Sequence, residues 1–192
     1  MTAFHHPSER AVIIMVLIIS SSLHPESRSR IMAIEAVERL QRLGRETQLL
    51  DLSKNTLPPC DGASAYGDPA AQQAVEMVSS ADAILCASPI YNYDVNASLK
   101  NLVELTGRAW TGKVVGMMVA AGGAGSYMAP MGLANSLMLD FRCLILPRFV
   151  YATGDKFEGD HLADETVSTR IDQLLGDLIC IADALKNNEP KS

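Results

Sequence analysis

The stretch Ala83–Asn101, AILCASPIYNYDVNASLKN, decides the fold. Its apolar run Ala83–Ala87 is what a strand buried on both faces shows, and the run reads as ending at Ser88-Pro89. A loop rich in rings and polar side chains follows, with Tyr91, Asn92, Tyr93, Asp94 and Asn96, and a helix begins at about Asn96. Strand, aromatic-polar loop and helix in that order place a ligand site at the carboxyl end of a strand in an open α/β sheet. The rings offer flat surfaces, and the amides offer hydrogen bonds to the edge of a flat ligand.

On either side of this stretch, short aliphatic runs at about 11–20, 47–52, 82–88, 113–121 and 143–151 alternate with segments of helical spacing. The first helix carries Ile31, Ile34, Val37, Leu40 and Leu43 at three-residue steps, with Gly44 just past its end. The second covers about 69–80 and opens on Asp68-Pro69, a capping residue followed by proline. The third runs from about Asn96 to Gly107, and the fourth over about 128–140. The last carries Val167, Ile171, Leu174, Leu178 and Leu185. Five strands alternating with five helices predict βαβ crossovers and a parallel sheet covered on both faces. The longest loop, about 53–67, reads either as a functional segment or as a plain surface excursion.

The chain has 192 residues, 48% of them hydrophobic. That fits a single domain over 11–186, between a loose tail at 1–10 and a polar tail at 187–192. A domain of this length buries about 70% of its unfolded surface and needs no staples. Cys60, Cys86, Cys143 and Cys180 form no CxxC pair and no zinc-type spacing. Cys86 and Cys180 sit in apolar patterns and read as core residues, whereas Cys60 reads as a loop thiol, reactive or plain. The picture is a reduced, cytoplasmic protein. A net charge of −6 and the lack of a lysine or arginine run argue against a nucleic-acid partner. Ala11–Ile19 is too short to span a bilayer and reads as the first buried strand, so no membrane partner is expected. His5-His6 reads as part of a solvated tail and not as a metal site.

Three loops would meet at the carboxyl edge of such a sheet. The first, Ser20–Ser29, is a hydroxyl-rich turn leading into a helix N-terminus, where free N–H groups and the helix dipole favour an anion. Arg28 or a protonated His24 adds charge there; ordinary capping by serine is the plainer reading. The second is the tyrosine loop, which could equally be two packed rings with asparagine caps. The third, Ala120–Tyr127, carries three glycines directly after a strand, suited to close approach of a ligand or to a flexible turn. Taken together they describe a phosphate at one end and a planar heterocycle at the other, a mononucleotide-like ligand.

Other sites of the same architecture lack their residues. A dinucleotide fingerprint needs G-x-G-x-x-G where this chain has serines, and Asp51 reads as a solvated strand end. No P-loop, no receiver-type acidic pair and no Gly-x-Ser-x-Gly elbow is present, and His161 reads as a surface histidine.

The chain resembles the NAD(P)H-dependent FMN reductase family, of flavodoxin-like fold, over about Val12 to Leu185. Ser21-Ser22-Leu23-His24-Pro25-Glu26-Ser27-Arg28-Ser29 is similar to the family's G-S-x-R-x-x-S-x-S/N phosphate loop. Ser88-Pro89-Ile90-Tyr91-Asn92 with Ser98-Leu99-Lys100-Asn101 is similar to its P-x-Y-N…LKN signature, and Gly122-Gly123-Ala124-Gly125 to its third, glycine-rich loop. The resemblance implies a three-layer sandwich with a five-stranded parallel sheet of order 2-1-3-4-5. It implies FMN at the sheet edge and NADPH or NADH as electron donor.

Ser22, Ser27 and Ser29 would hold the phosphate, with Ser21 and His24 standing where the family has glycine and arginine, and Arg28 compensating. Pro89, Ile90, Tyr91 and Asn92 would border the ribityl chain and ring, and Tyr93 would narrow the site. Gly122, Gly123 and Gly125, ending at Ser126, would follow the ring's polar edge. No catalytic side chain and no metal are implied, because the cofactor carries the chemistry. The implied assembly is a homodimer or homotetramer, and the partner is a small electron acceptor: FMN, a quinone, an azo compound or an oxyanion. A flavodoxin-type carrier of FMN, or a binding protein whose serine loop is only a cap, stands as the alternative.

Overall fold

The computed structural model describes residues 14–188. The tail at 1–10 with His5-His6, the first three residues of the expected opening strand, and residues 189–192 lie outside the described residues.

The elements are β1 (Met15–Ser20), α1 (Arg28–Arg42), β2 (Glu46–Asp51), α2 (Pro69–Ser80), β3 (Ala83–Tyr91) and β4 (Asp94–Val95), then α3 (Ala97–Thr106), β5 (Val114–Ala121) and α4 (Met131–Phe141). They end with β6 (Leu144–Ile145), β7 (Val150–Thr153), β8 (Phe157–Glu158), β9 (His161–Leu162) and α5 (Glu165–Asn187). Strands β2, β1, β3 and β5 lie side by side in parallel, and both β6 and β7 pair with β5 beyond them. This is the expected 2-1-3-4-5 order of a flavodoxin-like sheet.

Alternation along β1 assigns its two faces. Val16 and Ile18 pack with Met32, Ala33, Ala36 and Leu40 of α1 and with Ile171, Leu174 and Leu178 of α5. Leu17 and Ile19 pack on the other side with Val78 of α2, Leu99 and Leu102 of α3, and Leu133 and Leu137 of α4, around the fully buried Trp110. Local signals set the helix ends: Asp68 Oδ1 accepts the Ala70 N–H at 2.8 Å, Ser27 caps α1 by accepting from the Arg30 N–H, and Gly44 takes φ +69° past α1.

Four expectations are corrected. The expected last strand, 143–151, is broken into β6 and β7, because Pro147 has no N–H to give the ladder after Leu146 donates to Val115 O. β3 does not stop at Ser88-Pro89 but continues to Tyr91. β1 pairs only as far as Ala87, so Pro89 meets an open flank, and the strand folds back into the antiparallel β4. The buried stripe of α1 is Met32, Ala33, Ala36 and Leu40, while Ile34 and Leu43 are exposed; three-residue steps fall short of a 3.6-residue turn and drift off one face. Cys180 lies exposed on α5, two positions away from the buried Leu178 and Ala182 on that helix. Cys86 is buried as expected, with its thiol pushed up by desolvation, and Cys143 is buried with its thiol at about 11 for the same reason.

The β3–β4 hairpin turns on Asn92 and Tyr93, both with positive φ (50° and 67°). Two such residues make a mirror-image turn whose twist suits a tight hairpin. Asn tolerates this region, whereas an aromatic residue is strained there. Replacing Tyr93→Asn is expected to raise stability by about 1 kcal/mol, read as a higher urea midpoint at unchanged slope; a lower midpoint would show that the exposed ring makes a compensating contact.

Candidate functional site

A cleft of about 950 Å³ opens at the carboxyl edge of the sheet, within the range of roughly 300–1,000 Å³ typical of small-molecule sites. Its walls bring together Ser22, His24, Ser27, Arg28 and Ser29 of the first loop, Pro89, Ile90 and Tyr91 at the end of β3, and Gly122 after β5. A larger groove, about 1,240 Å³, lies between α3 and α4 and shares no lining residue with it. The cleft is the candidate site, because it joins a helix N-terminus to the switch point between β1 and β3.

The first loop presents donors. The N–H groups of Arg28 and Ser29, the first two of α1, meet no acceptor among the described residues. Ser27 Oγ and Ser29 Oγ lie 3.0 Å apart, and Ser27 Oγ also accepts from the Arg30 N–H. One hydroxyl hydrogen of that pair is therefore free. The Ser22 hydroxyl accepts from His24 N–H, which leaves its own hydrogen free as well. His24 Nδ1 accepts the Glu26 N–H at 3.1 Å, so Nε2 is the polar atom the ring has left. Arg28 makes no ion pair among the described residues; its guanidinium crosses to the loop after β7, where a Cβ on Gly154 would lie 2.7 Å from Nη1. Ser21 is turned the other way: its buried hydroxyl donates to Asn96 Oδ1 at 2.6 Å.

The second loop is the β3–β4 hairpin. Pro89, Ile90 and Tyr91 line the cleft, and Asn92 and Tyr93 stand at the turn outside the lining. Tyr91 and Tyr93 are both exposed, so they are not packed under one another. Behind the hairpin, Asn96 ties the strand ends together. Its Nδ2 donates to Ser21 O at 2.7 Å, its backbone N–H donates to Ser88 Oγ at 3.3 Å, and it is buried.

In the third loop Gly122 lines the cleft, while Gly123, Gly125 and Ser126 lie beside it. Tyr151 of β7 anchors them, with its hydroxyl donating to Gly123 O and lying 2.8 Å from Ser126 Oγ. None of these three glycines has positive φ, and a Cβ on any of them would meet nothing within 4 Å. Neither a positive φ nor internal packing accounts for glycine here, and bare backbone of this kind suits the close approach of a ligand.

Reading the sequence missed four participants. Arg30 donates to three carbonyls of the first loop and pairs with Asp51, which is buried and not a solvated strand end. The tip of the β8–β9 hairpin at Gly159-Asp160 lines the cleft, while Tyr151 and Gly154 lie behind its walls, against Gly123 and the Arg28 guanidinium. The long 53–67 loop does not line the cleft; Asn101 pins it to α3 by accepting from Cys60 N–H and donating to Pro58 O.

An open parallel sheet with a cleft at its switch point, walled by the free N–H groups of a helix start, has the architecture of the flavodoxin-like proteins. Residues 14–158 match the family described as NADPH-dependent FMN reductase. A NAD(P)H-dependent FAD/FMN reductase of Geobacillus thermodenitrificans is 32% identical over 146 residues, 74% of this chain and 78% of that protein. A NAD(P)H:quinone oxidoreductase of Solanum tuberosum is 32% identical over 117 residues, 57% of this chain and 60% of that protein. Among solved structures, the flavoenzyme NAD(P)H:(acceptor) oxidoreductase FerB of Paracoccus denitrificans superposes with a TM-score of 0.73 at 18% identity, over 90% of this chain and 98% of that one, which shows the shared fold. The chain belongs to the NADPH-dependent FMN reductase family. It is an NAD(P)H-dependent flavin oxidoreductase, and its cofactors are FMN and a reduced nicotinamide nucleotide.

Replacing Gly122→Val is expected to weaken flavin binding at least about tenfold through steric exclusion, with the thermal midpoint not lowered, because a Cβ there meets nothing within 4 Å. Equal flavin affinity in the variant would show that no ligand approaches this loop.

Proposed function

We propose that this chain reduces flavin with NAD(P)H and passes the electrons to a small acceptor such as a free flavin, a quinone, an azo compound or an oxyanion. The carrying observation is one cleft with unpaired N–H and hydroxyl donors at one end and, at the other, Gly122 of a glycine loop that has no internal cause. Phosphate suits the first end and the edge of a planar ring the second. Bound FMN would supply the hydride-accepting and electron-donating chemistry. The chain's own residues bind, orient and exclude water.

In this reading Ser22, Ser27, Ser29 and the first N–H groups of α1 hold the phosphate, and Arg28 and His24 add donors above it. Pro89, Ile90, Tyr91 and Asn92 border the ribityl chain and ring. Gly122, Gly123 and Gly125 follow the ring's polar edge, held in place through Ser126, and Ser21 and Tyr93 shape the loops from behind and at the rim. Residues 11–186 act as one domain. A homodimer or homotetramer is supported by the exposed apolar and aromatic side chains Tyr91, Tyr93, Tyr127, Met128 and Met131. A cytoplasmic setting is supported by four free thiols. Among the described residues, no helix is long and apolar enough to cross a membrane.

Mixing the purified protein with FMN, a quinone and NADPH or NADH is expected to give steady loss of nicotinamide absorbance. Tight FMN retention without nicotinamide oxidation would leave a carrier, and no flavin binding by the folded protein would remove the reading. Tyr91→Ala is expected to weaken ring binding by roughly 1 kcal/mol or more, the scale of an aromatic contact, while leaving the fold intact; flavin fluorescence titration measures it.

A further inference from the structure

We infer that Arg30, held by Asp51, is a positioning residue that sets the preference for phosphorylated over unphosphorylated flavin. The inference rests on the phosphate end of the cleft proposed above. Arg30 lines the cleft, but its Nη hydrogens are engaged inside the chain and its Nε is buried beside Asp51, so it acts on the loop and not as a ligand. Nη1 donates to His24 O and Pro25 O, both at 3.0 Å. Nη2 donates to Ser22 O at 3.0 Å and to Asp51 Oδ1 at 3.4 Å. Nε lies 3.1 Å from Asp51 Oδ2, a Coulombic contact and not a hydrogen bond.

The partners explain the role. Three carbonyls of the loop that would face a dianion are turned onto the guanidinium. Carbonyl oxygens repel a phosphate, and in a trans peptide the N–H points opposite to its C=O. Holding Ser22 O therefore aims the Leu23 N–H away from Arg30, and that N–H meets no acceptor among the described residues. Arg30 is itself the third residue of α1, so the clamp also fixes the loop relative to the free N–H groups at the helix start.

Charge argues the same way. The Asp51 carboxylate offsets the guanidinium, so the pair adds geometry and no net charge. Asp51 is in turn fixed by the Ser53 N–H at 3.1 Å and the Ser53 hydroxyl at 2.8 Å. The attraction for an anion is left to the helix terminus and to Arg28, which has no counter-ion among the described residues. The clamp thus acts on the phosphate end of a ligand and leaves the ring end untouched.

The test compares dissociation constants for FMN and riboflavin, which differ only by the phosphate, in the full chain. The variants are wild type, Arg30→Met, Arg30→Met with Asp51→Asn, and Arg30→Lys, with near-ultraviolet circular dichroism from buried Trp110 reporting the fold. Wild type is expected to prefer FMN. The double variant, which leaves no buried carboxylate unpaired, is expected to lose at least about tenfold in FMN affinity while riboflavin affinity stays within about threefold. Arg30→Lys keeps the charge beside Asp51 with fewer, less directional donors, and is expected to fall between the two. Should truncation of Arg30 unfold the chain, Arg30→Lys decides: an unchanged FMN-to-riboflavin ratio overturns the inference. A parallel loss of both ligands also overturns it, since that is what general structural support would produce. A wild-type protein without preference for FMN would instead overturn the phosphate end of the cleft, before any variant is read.

Discussion

The buried carboxamide of Asn96 holds the carboxyl ends of β1 and β3 in one arrangement. It accepts from the Ser21 hydroxyl, donates to the Ser21 carbonyl, and its backbone N–H reaches Ser88 Oγ. β1 ends here while β3 runs on to Tyr91, and the first loop leaves from here. Beyond Ala87 the β1–β3 ladder has stopped, so backbone polar groups at this level need other partners in a buried place. One asparagine at the start of α3 meets that need for two loops at once. A buried polar group with all its bonds made specifies position more sharply than apolar contact does, because any shift leaves a donor or acceptor unpaired.

The cleft shows a division between groups engaged inside the protein and groups without an internal partner. Asp51, Ser21, Tyr151 and the Nη atoms of Arg30 are taken by loop carbonyls and neighbouring side chains. The first N–H groups of α1, the Arg28 guanidinium and the backbone at Gly122 are left open. A site that binds a cofactor carrying its own chemistry needs this arrangement and little else. It needs rigid walls, donors aimed at an anion, and a backbone bare enough to lie against a ring. The aromatic contacts of Tyr127 with Phe149 and Tyr151, at 4.9 and 5.4 Å between centroids, brace the glycine loop from behind.

Short-range features were legible. Asp68-Pro69, Ser27 and Gly44 mark helix ends through bonds and dihedral angles that reach only three or four residues, so the linear pattern contains them. The switch-point loops were legible for a similar reason, since hydroxyls, rings and glycines follow directly after apolar runs. Arg30 and Asp51 were not, because their pairing spans 21 positions and each alone looks like an ordinary surface charge. Tyr151 reaches Gly123 across 28 positions from a strand whose break at Pro147 the apolar run conceals. The hairpin at Asn92-Tyr93 was hidden by Pro89, which in an interior strand would argue for an ending; only the early stop of β1 makes proline acceptable there.

The residue pattern alone determined the alternation of strands and helices, the parallel sheet, and the three loops gathered at its edge, because hydrophobic period and capping chemistry act locally and repeat along the chain. Tertiary structure decided which of those loop residues face the cleft. It turned Ser21 inward and left Ser22, Ser27 and Ser29 at the wall. It also turned three loop carbonyls onto Arg30 and laid Arg28 across to Gly154. Whether a side chain binds a ligand or braces its own scaffold depends on which distant backbone groups lie within hydrogen-bond reach, and that is set only when the strands pack.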